Sequence, residues 1–146
     1  MSKGNTFEND LLLLVFNNTN AALIGDATGL RGSTTAGSLY VSLHTGDPGE
    51  AGDQTTSEIA YTGYARVAVA RSGAGFTVTG NSVSPAATVT FGAMTAGAGG
   101  TATHFAIGTA ASGTGKVLYK GAISPTISVV NGVTPQLTTA TAITED

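Results

Sequence analysis

From Ser38 onward the chain offers only short runs of alternating character, each cut by Gly, Asn or Pro. Ser38–Pro48 sets the pattern. Leu39, Val41 and Leu43 alternate with Tyr40, Ser42 and His44, the period-2 signature of a half-buried strand. Thr45-Gly46-Asp47-Pro48 then ends the run, because Gly frees the backbone and Pro cannot donate to a ladder. Similar runs recur at Tyr64–Ala70, Gly75–Thr79, Thr88–Phe91, His104–Gly108, Lys116–Ile123, Ile127–Val130, Val133–Leu137 and Thr138–Thr144. Gly80-Asn81 reads as a turn and Pro125 as a strand break. Asn131-Gly132 predicts a two-residue hairpin with positive φ at both residues. Strands of this length and spacing predict a mainly β chain, an antiparallel β-sandwich of jelly-roll type. Its expected inner face holds Leu39, Val41, Leu43, Val67, Val69, Val89, Phe91, Phe105, Ile107, Leu118 and Ile143.

One helix precedes the strands. Thr6 is the expected N-cap, with Glu8 and Asp10 in the first turn, where the helix dipole favours acids. Phe7, Leu11, Leu14 and Val15 share a face, and Leu12, Leu13 and Phe16 widen it. Asn17 and Asn18 close the helix. Residues 19 to 37 form a polar, Gly-rich connection, so the chain divides into a helix-and-linker segment, 1–37, and a β-sandwich domain, 38–146. The helix is too apolar to stand in water. Phe7, Leu11, Leu14, Val15 and Phe16 are therefore the expected partner-binding face, docking on another chain. On this reading, deleting residues 1 to 18 leaves the β-domain folded. If the helix instead belongs to the chain's own core, the anchor is to be sought in the loops Gly25–Gly37 and Gly46–Thr56.

The chain has 146 residues, no Cys, and a net charge of −3. Only 10% of its residues are charged, against the usual quarter, which fits a surface partly covered by partners. Lys3, Arg31, Arg66, Arg71, Lys116 and Lys120 are scattered, so no patch suits a phosphate backbone and nucleic acid is not an expected ligand. The longest pure apolar run, Leu11–Phe16, is too short for a bilayer, and no signal peptide opens the sequence. The expected place of synthesis is the cytoplasm.

Chemistry is sparse. Ser42, His44 and Asp47 hint at a nucleophile, base and acid. Ser42 and His44 stand about 7 Å apart along a strand, and no oxyanion motif flanks them, so His44 reads as a surface residue at a turn. Asp47, Glu50 and Asp53 carry oxygen ligands at a spacing unlike that of a calcium loop, and read as a solvated acidic loop ahead of the acidic tail Glu145-Asp146. His44 and His104 lack a third ligand for zinc. Gly46–Gly49 and Gly97–Gly100 read as turns and not as phosphate loops. Tyr61 and Tyr64 suit packing at a strand entrance better than sugar stacking. The expectation is no enzyme, no cofactor and no metal.

Four stretches carry a resemblance: Leu39–Pro48, Tyr61-Thr62-Gly63-Tyr64-Ala65-Arg66-Val67, Thr103–Ala110 and Lys116–Gly121. From about Leu39 to the end, this series resembles a family of small tailed-phage structural proteins often labelled tail fibre protein. Some members are similar to capsid cement, or decoration, proteins of jelly-roll type. The resemblance implies a virion structural protein on the outer capsid surface, binding and stabilising the major capsid protein shell, as a homo-oligomer (dimer or trimer). The alternative it implies is a tail or tail-fibre component that contacts a host surface glycan.

Overall fold

The computed structural model describes residues 2–145, and Asp146 of the acidic tail lies outside them. The fold is mainly β, antiparallel and sandwich-like, with a single helix among the described residues. Helix α1 spans Asn5–Asn17, and the strands are β1 Ser38–His44, β2 Val67–Ala70, β3 Phe76–Thr79, β4 Ser82–Pro85, β5 Val89–Thr90, β6 Gly100–Gly108, β7 Val117–Val129, β8 Gln136–Leu137 and β9 Ile143–Thr144. They form sheets of order β2-β1-β6-β7, β3-β4-β9 and β5-β8.

The chain splits into two compact units. One comprises the N-terminal stretch through Ser38, Val69–Thr88 and the C-terminal stretch from Thr138. Here α1 packs on β3 and β4. Its buried stripe is Glu8, Leu12 and Phe16, spaced i, i+4, i+8. Phe16 meets Phe76 edge to face, with ring centroids 4.9 Å apart. Gly4, not Thr6, is the N-cap, and it has no side-chain cap. Asn18 closes the helix in the left-handed conformation, as read from the sequence. The Arg71 guanidinium finishes that end. It donates to the carbonyls of Val15 and Leu14 at 2.6 and 2.7 Å, to Ser33 Oγ at 3.0 Å and to the Ala36 carbonyl at 3.3 Å. A cation on the last carbonyls is what a helix C-terminus favours. A helix that leaves its own domain is thus corrected to one that is docked and tethered within its own chain.

The other unit comprises Leu39–Ala68 and Val89–Leu137. Its core holds Leu39, Val41, Leu43, Val89, Phe91, Phe105 and Ile107, as expected. Ile59, Tyr61, Met94, Ala106, Val129 and Leu137 join them. Of the remaining expected inner residues in the two units, Val67, Val69, Leu118 and Ile143 are only half-buried. In β1 the register Val41↔Ile107 and Leu43↔Phe105 stacks apolar pairs across to β6.

Three local readings change. The hairpin belongs at Gly80-Asn81, where Thr79 pairs with Ser82 and adds a strand, β4, that the alternation missed. Asn131-Gly132 makes a tight turn, with the Val133 N–H on the Val130 carbonyl at 2.9 Å, but only Gly132 has positive φ, at 86°. That is a type II pattern, which splays the flanking chain apart. Accordingly Val129 pairs with Gly100, while Met94 bonds the Val133 carbonyl. Finally, Pro125 does not end a strand: β7 runs through it, with a register shift that leaves Ala102 opposite Ile127 and His104 opposite Ala122. Pro is tolerated at such a bulge on an edge strand.

Candidate functional site

The expected partner face is dispersed. Phe16 is fully buried within the chain, Leu11, Leu14 and Val15 are half-buried, and Phe7 alone stands 42% exposed. The polar residues of β1 move the other way. Ser42 and His44 are both fully buried, which corrects the reading of His44 as a surface residue. Their side chains meet, with Ser42 Oγ 2.9 Å from His44 Nε2, much closer than the spacing of their positions along the strand. His44 Nδ1 lies 2.8 Å from the Thr56 carbonyl. A carbonyl only accepts, so Nδ1 carries the proton and Nε2 accepts from the Ser42 hydroxyl. The pair has the polarity of a nucleophile and its base, yet it is sealed from solvent. Burial is the main cause that pushes the His44 pKa below its ordinary value.

The loop 45–64 pairs along the edge of β1, with His44 bridged to Glu58, and brings the Thr56 carbonyl onto the His44 ring. The Thr45 N–H bonds the Ser57 carbonyl at 2.8 Å, and the Ile59 N–H bonds the Leu43 carbonyl at 2.9 Å. Arg66, only 8% exposed, anchors the loop. Its Nε and Nη2 reach the two carboxylate oxygens of Glu58 at 2.7 Å each, and its Nη1 and Nη2 donate to the carbonyls of Ala110 and Gly113 at 3.0 and 2.9 Å. The Tyr64 hydroxyl donates to Glu58 at 2.8 Å and accepts from the Leu43 N–H at 3.1 Å. Burial pushes this phenol well above its ordinary range, so it remains a donor. Gln54, fully buried, accepts from the Ala110 N–H at 2.9 Å. A Cβ on Gly108 would collide with the Gln54 side chain, so a larger residue there would displace Gln54 from its bond to Ala110. Tyr61 is buried and Tyr64 half-buried, and their rings stand 5.3 Å apart.

The acidic loop is engaged locally. Asp47 pairs with Lys120 at 2.8 Å and accepts from the Gly49 N–H at 2.8 Å, and the Lys120 bond leads the causes holding its pKa down. Asp53 accepts from the N–H and hydroxyl of Thr55 at 2.7 and 2.6 Å, and that hydroxyl leads the causes lowering its pKa. Among the described residues no three His, Asp or Glu side chains gather as a metal site. His44 and His104 are direct partners in the β1–β6 register. No helix of the described residues is long and apolar enough to cross a membrane.

The buried imidazole makes stability depend on pH. The folded pKa of His44 lies below its unfolded value of 6.5, so as pH falls below that value the unfolded chain takes up a proton that the folded chain refuses. Stability is then fully present above it and declines below. Thermal melts should give a flat Tm at and above pH 7 and a falling one beneath about pH 6.5. The His44→Gln variant should lose that slope. Asp26, Asp47 and Asp53, lowered from 3.8, act only at lower pH.

Arg66, Glu58 and Tyr64 thus serve as a clamp, and the reactive side chains hold loops in place. A comparison with curated proteins returns no match. The family model described as "Podophage GP4 fiber I protein gp80" matches residues 3–144, nearly the whole chain. The chain therefore belongs to this podophage fibre family and is a phage structural protein.

Proposed function

We propose that this chain is a non-enzymatic component of the fibre apparatus of a phage virion, a rigid module that holds its shape and docks on neighbours. The match of residues 3–144 to a fibre family carries this reading. The architecture supports it: the Ser42–His44 pair is sealed, and Arg66, Gln54 and Arg71 spend their polar groups on stiffening loops. A fibre part needs that rigidity and no reacting group.

The low charge and net −3 favour a second reading, a decoration protein on the outer capsid surface that binds the major capsid protein, since acidic chains are kept from packaged DNA. Quantitative mass spectrometry of purified virions, with gold-labelled antibody, separates them. The fibre reading expects a copy number far below that of the major capsid protein and label at the tail. Label over the whole shell, in step with the capsid protein, would replace it with decoration. Contact with a host glycan follows only from the fibre reading.

A further inference from the structure

Between α1 and β1 the chain makes a short, braced excursion. Ala21 and Leu30 exchange backbone hydrogen bonds of 2.9 Å each, closing residues 21–30 on themselves. Within it, Asp26 accepts from the Thr28 N–H at 2.8 Å, the Thr28 hydroxyl at 2.6 Å and the Gly29 N–H at 2.9 Å. A Cβ on Gly29 would run into the Ala21 carbonyl. At the base, the Asn18 side chain accepts from the Ser33 N–H at 2.6 Å and donates to the Ser33 carbonyl at 2.9 Å. The segment read as a slack linker is a built loop.

Its tip presents apolar side chains to solvent. Leu23 is 83% exposed at φ 64°, and Ile24 and Leu30 are 38% and 45% exposed. A bulky residue in the left-handed region is strained, and an exposed Leu there gains nothing for the isolated chain. Elsewhere, in the unit built on β1, β6 and β7, an open depression of about 310 Å³ is lined by Gly49, Glu50, Val117, Leu118, Tyr119 and Lys120. A cavity of about 150 Å³ already holds a benzene-sized group, so this one has room for a Leu with its Ile neighbour. The lining also holds a cation, Lys120, but Asp47 pairs with it at 2.8 Å, which leaves Glu50 as the unmatched charge of the depression. Arg31 is exposed beside the knob, bonded to Thr28 Oγ1 at 3.3 Å, and Glu50 is exposed on the rim of the depression.

We propose that the chain binds a second copy of itself by seating Leu23 and Ile24 of one copy in the Gly49–Glu50/Val117–Lys120 depression of the next, with Arg31 set against Glu50. The two surfaces differ, so the contact is head-to-tail and each added copy carries a free knob and a free depression until a ring closes. The contact does not depend on whether the protein sits in a fibre or on a shell.

Sedimentation velocity of the purified full chain tests it. Wild type should associate with rising concentration. Leu23→Asp should sediment as a monomer. Glu50→Arg, which faces cation with cation, should weaken association at least about tenfold. At a concentration where Glu50→Arg alone is monomeric, an equimolar mixture of the two should give a one-to-one complex and nothing larger, because one copy keeps its depression and the other its knob. Leu23→Asn should lose association while its Tm rises, since Asn accepts the left-handed conformation, which excludes misfolding as the cause. A wild type that stays monomeric at every concentration overturns the proposal, including the case in which Leu23 serves another virion protein. So does unchanged association of Leu23→Asp, or a mixture that remains monomeric.

Discussion

Arg66→Ala is expected to lower the Tm of the chain by on the order of 10 °C, the sum of a few named losses. The guanidinium is nearly sealed, and its substitution leaves the Glu58 carboxylate without its bidentate partner. The carbonyls of Ala110 and Gly113 lose their donor as well. Removing one member of a buried pair costs about 3–5 kcal/mol, chiefly because the other charge stays behind. At about 2–4 °C per kcal/mol for a chain near this size, the shift follows. Arg66→Lys should recover little, since an ammonium cannot hold both Glu58 oxygens and two carbonyls at once. Replacing both partners, Arg66→Met with Glu58→Leu, should recover most of the loss, because no stranded charge remains. Limited proteolysis gives the second readout: the single variant should be cut within residues 45–57, where wild type resists. A Tm within a degree or two of wild type would mean that the loop is held by its backbone bonds alone.

That clamp marks the limit of what the sequence makes legible. Alternation in β1 identified Leu39, Val41 and Leu43 as core, and it was right about them. It also put Ser42 and His44 outside, because the pattern reports which side chains are apolar and says nothing of what covers the other face. Against His44 lies a loop whose folding back depends on Arg66, Tyr64 and Gln54, polar residues with no periodic signal. A trace existed. In a chain so poor in charge, an Arg at a strand entrance with two Tyr residues just before it invites a partner, and Glu58 lies eight positions earlier. Ser82–Pro85 escaped for a similar reason: Ser-Val-Ser-Pro has one large apolar residue and a terminal Pro, and only its pairing with β3 and β9 makes it a strand. Asn131-Gly132 shows the opposite failure. The local turn signal was sound, but Met94 takes the Gly132 N–H and the Val133 carbonyl, and the hairpin never closes.

The helix offers the other large effect, and it decides whether α1 is core or anchor. Phe16→Ala should destabilise the isolated chain by about 3–5 kcal/mol, the usual range for truncating a fully buried Phe. Phe16 is completely enclosed and loses its edge-to-face contact with Phe76 when cut back, while Leu12 beside it is left facing a cavity. Phe7→Ala, at a site already 42% exposed, should change stability by no more than about 0.5 kcal/mol. Deleting residues 1 to 18 should be worse than either change. It uncovers Phe76 and Val83, and it removes the Leu14 and Val15 carbonyls that hold Arg71. Denaturant unfolding of the purified chain measures the point variants. Hydrogen exchange over Phe76–Pro85 reads the deletion, where protection should collapse. If Phe16→Ala and the deletion leave stability and protection unchanged, the helix is dispensable to the fold and its apolar face is free for another chain. If both are lost, α1 is part of the core of its own unit, and docking falls to the exposed loops, with Leu23 foremost.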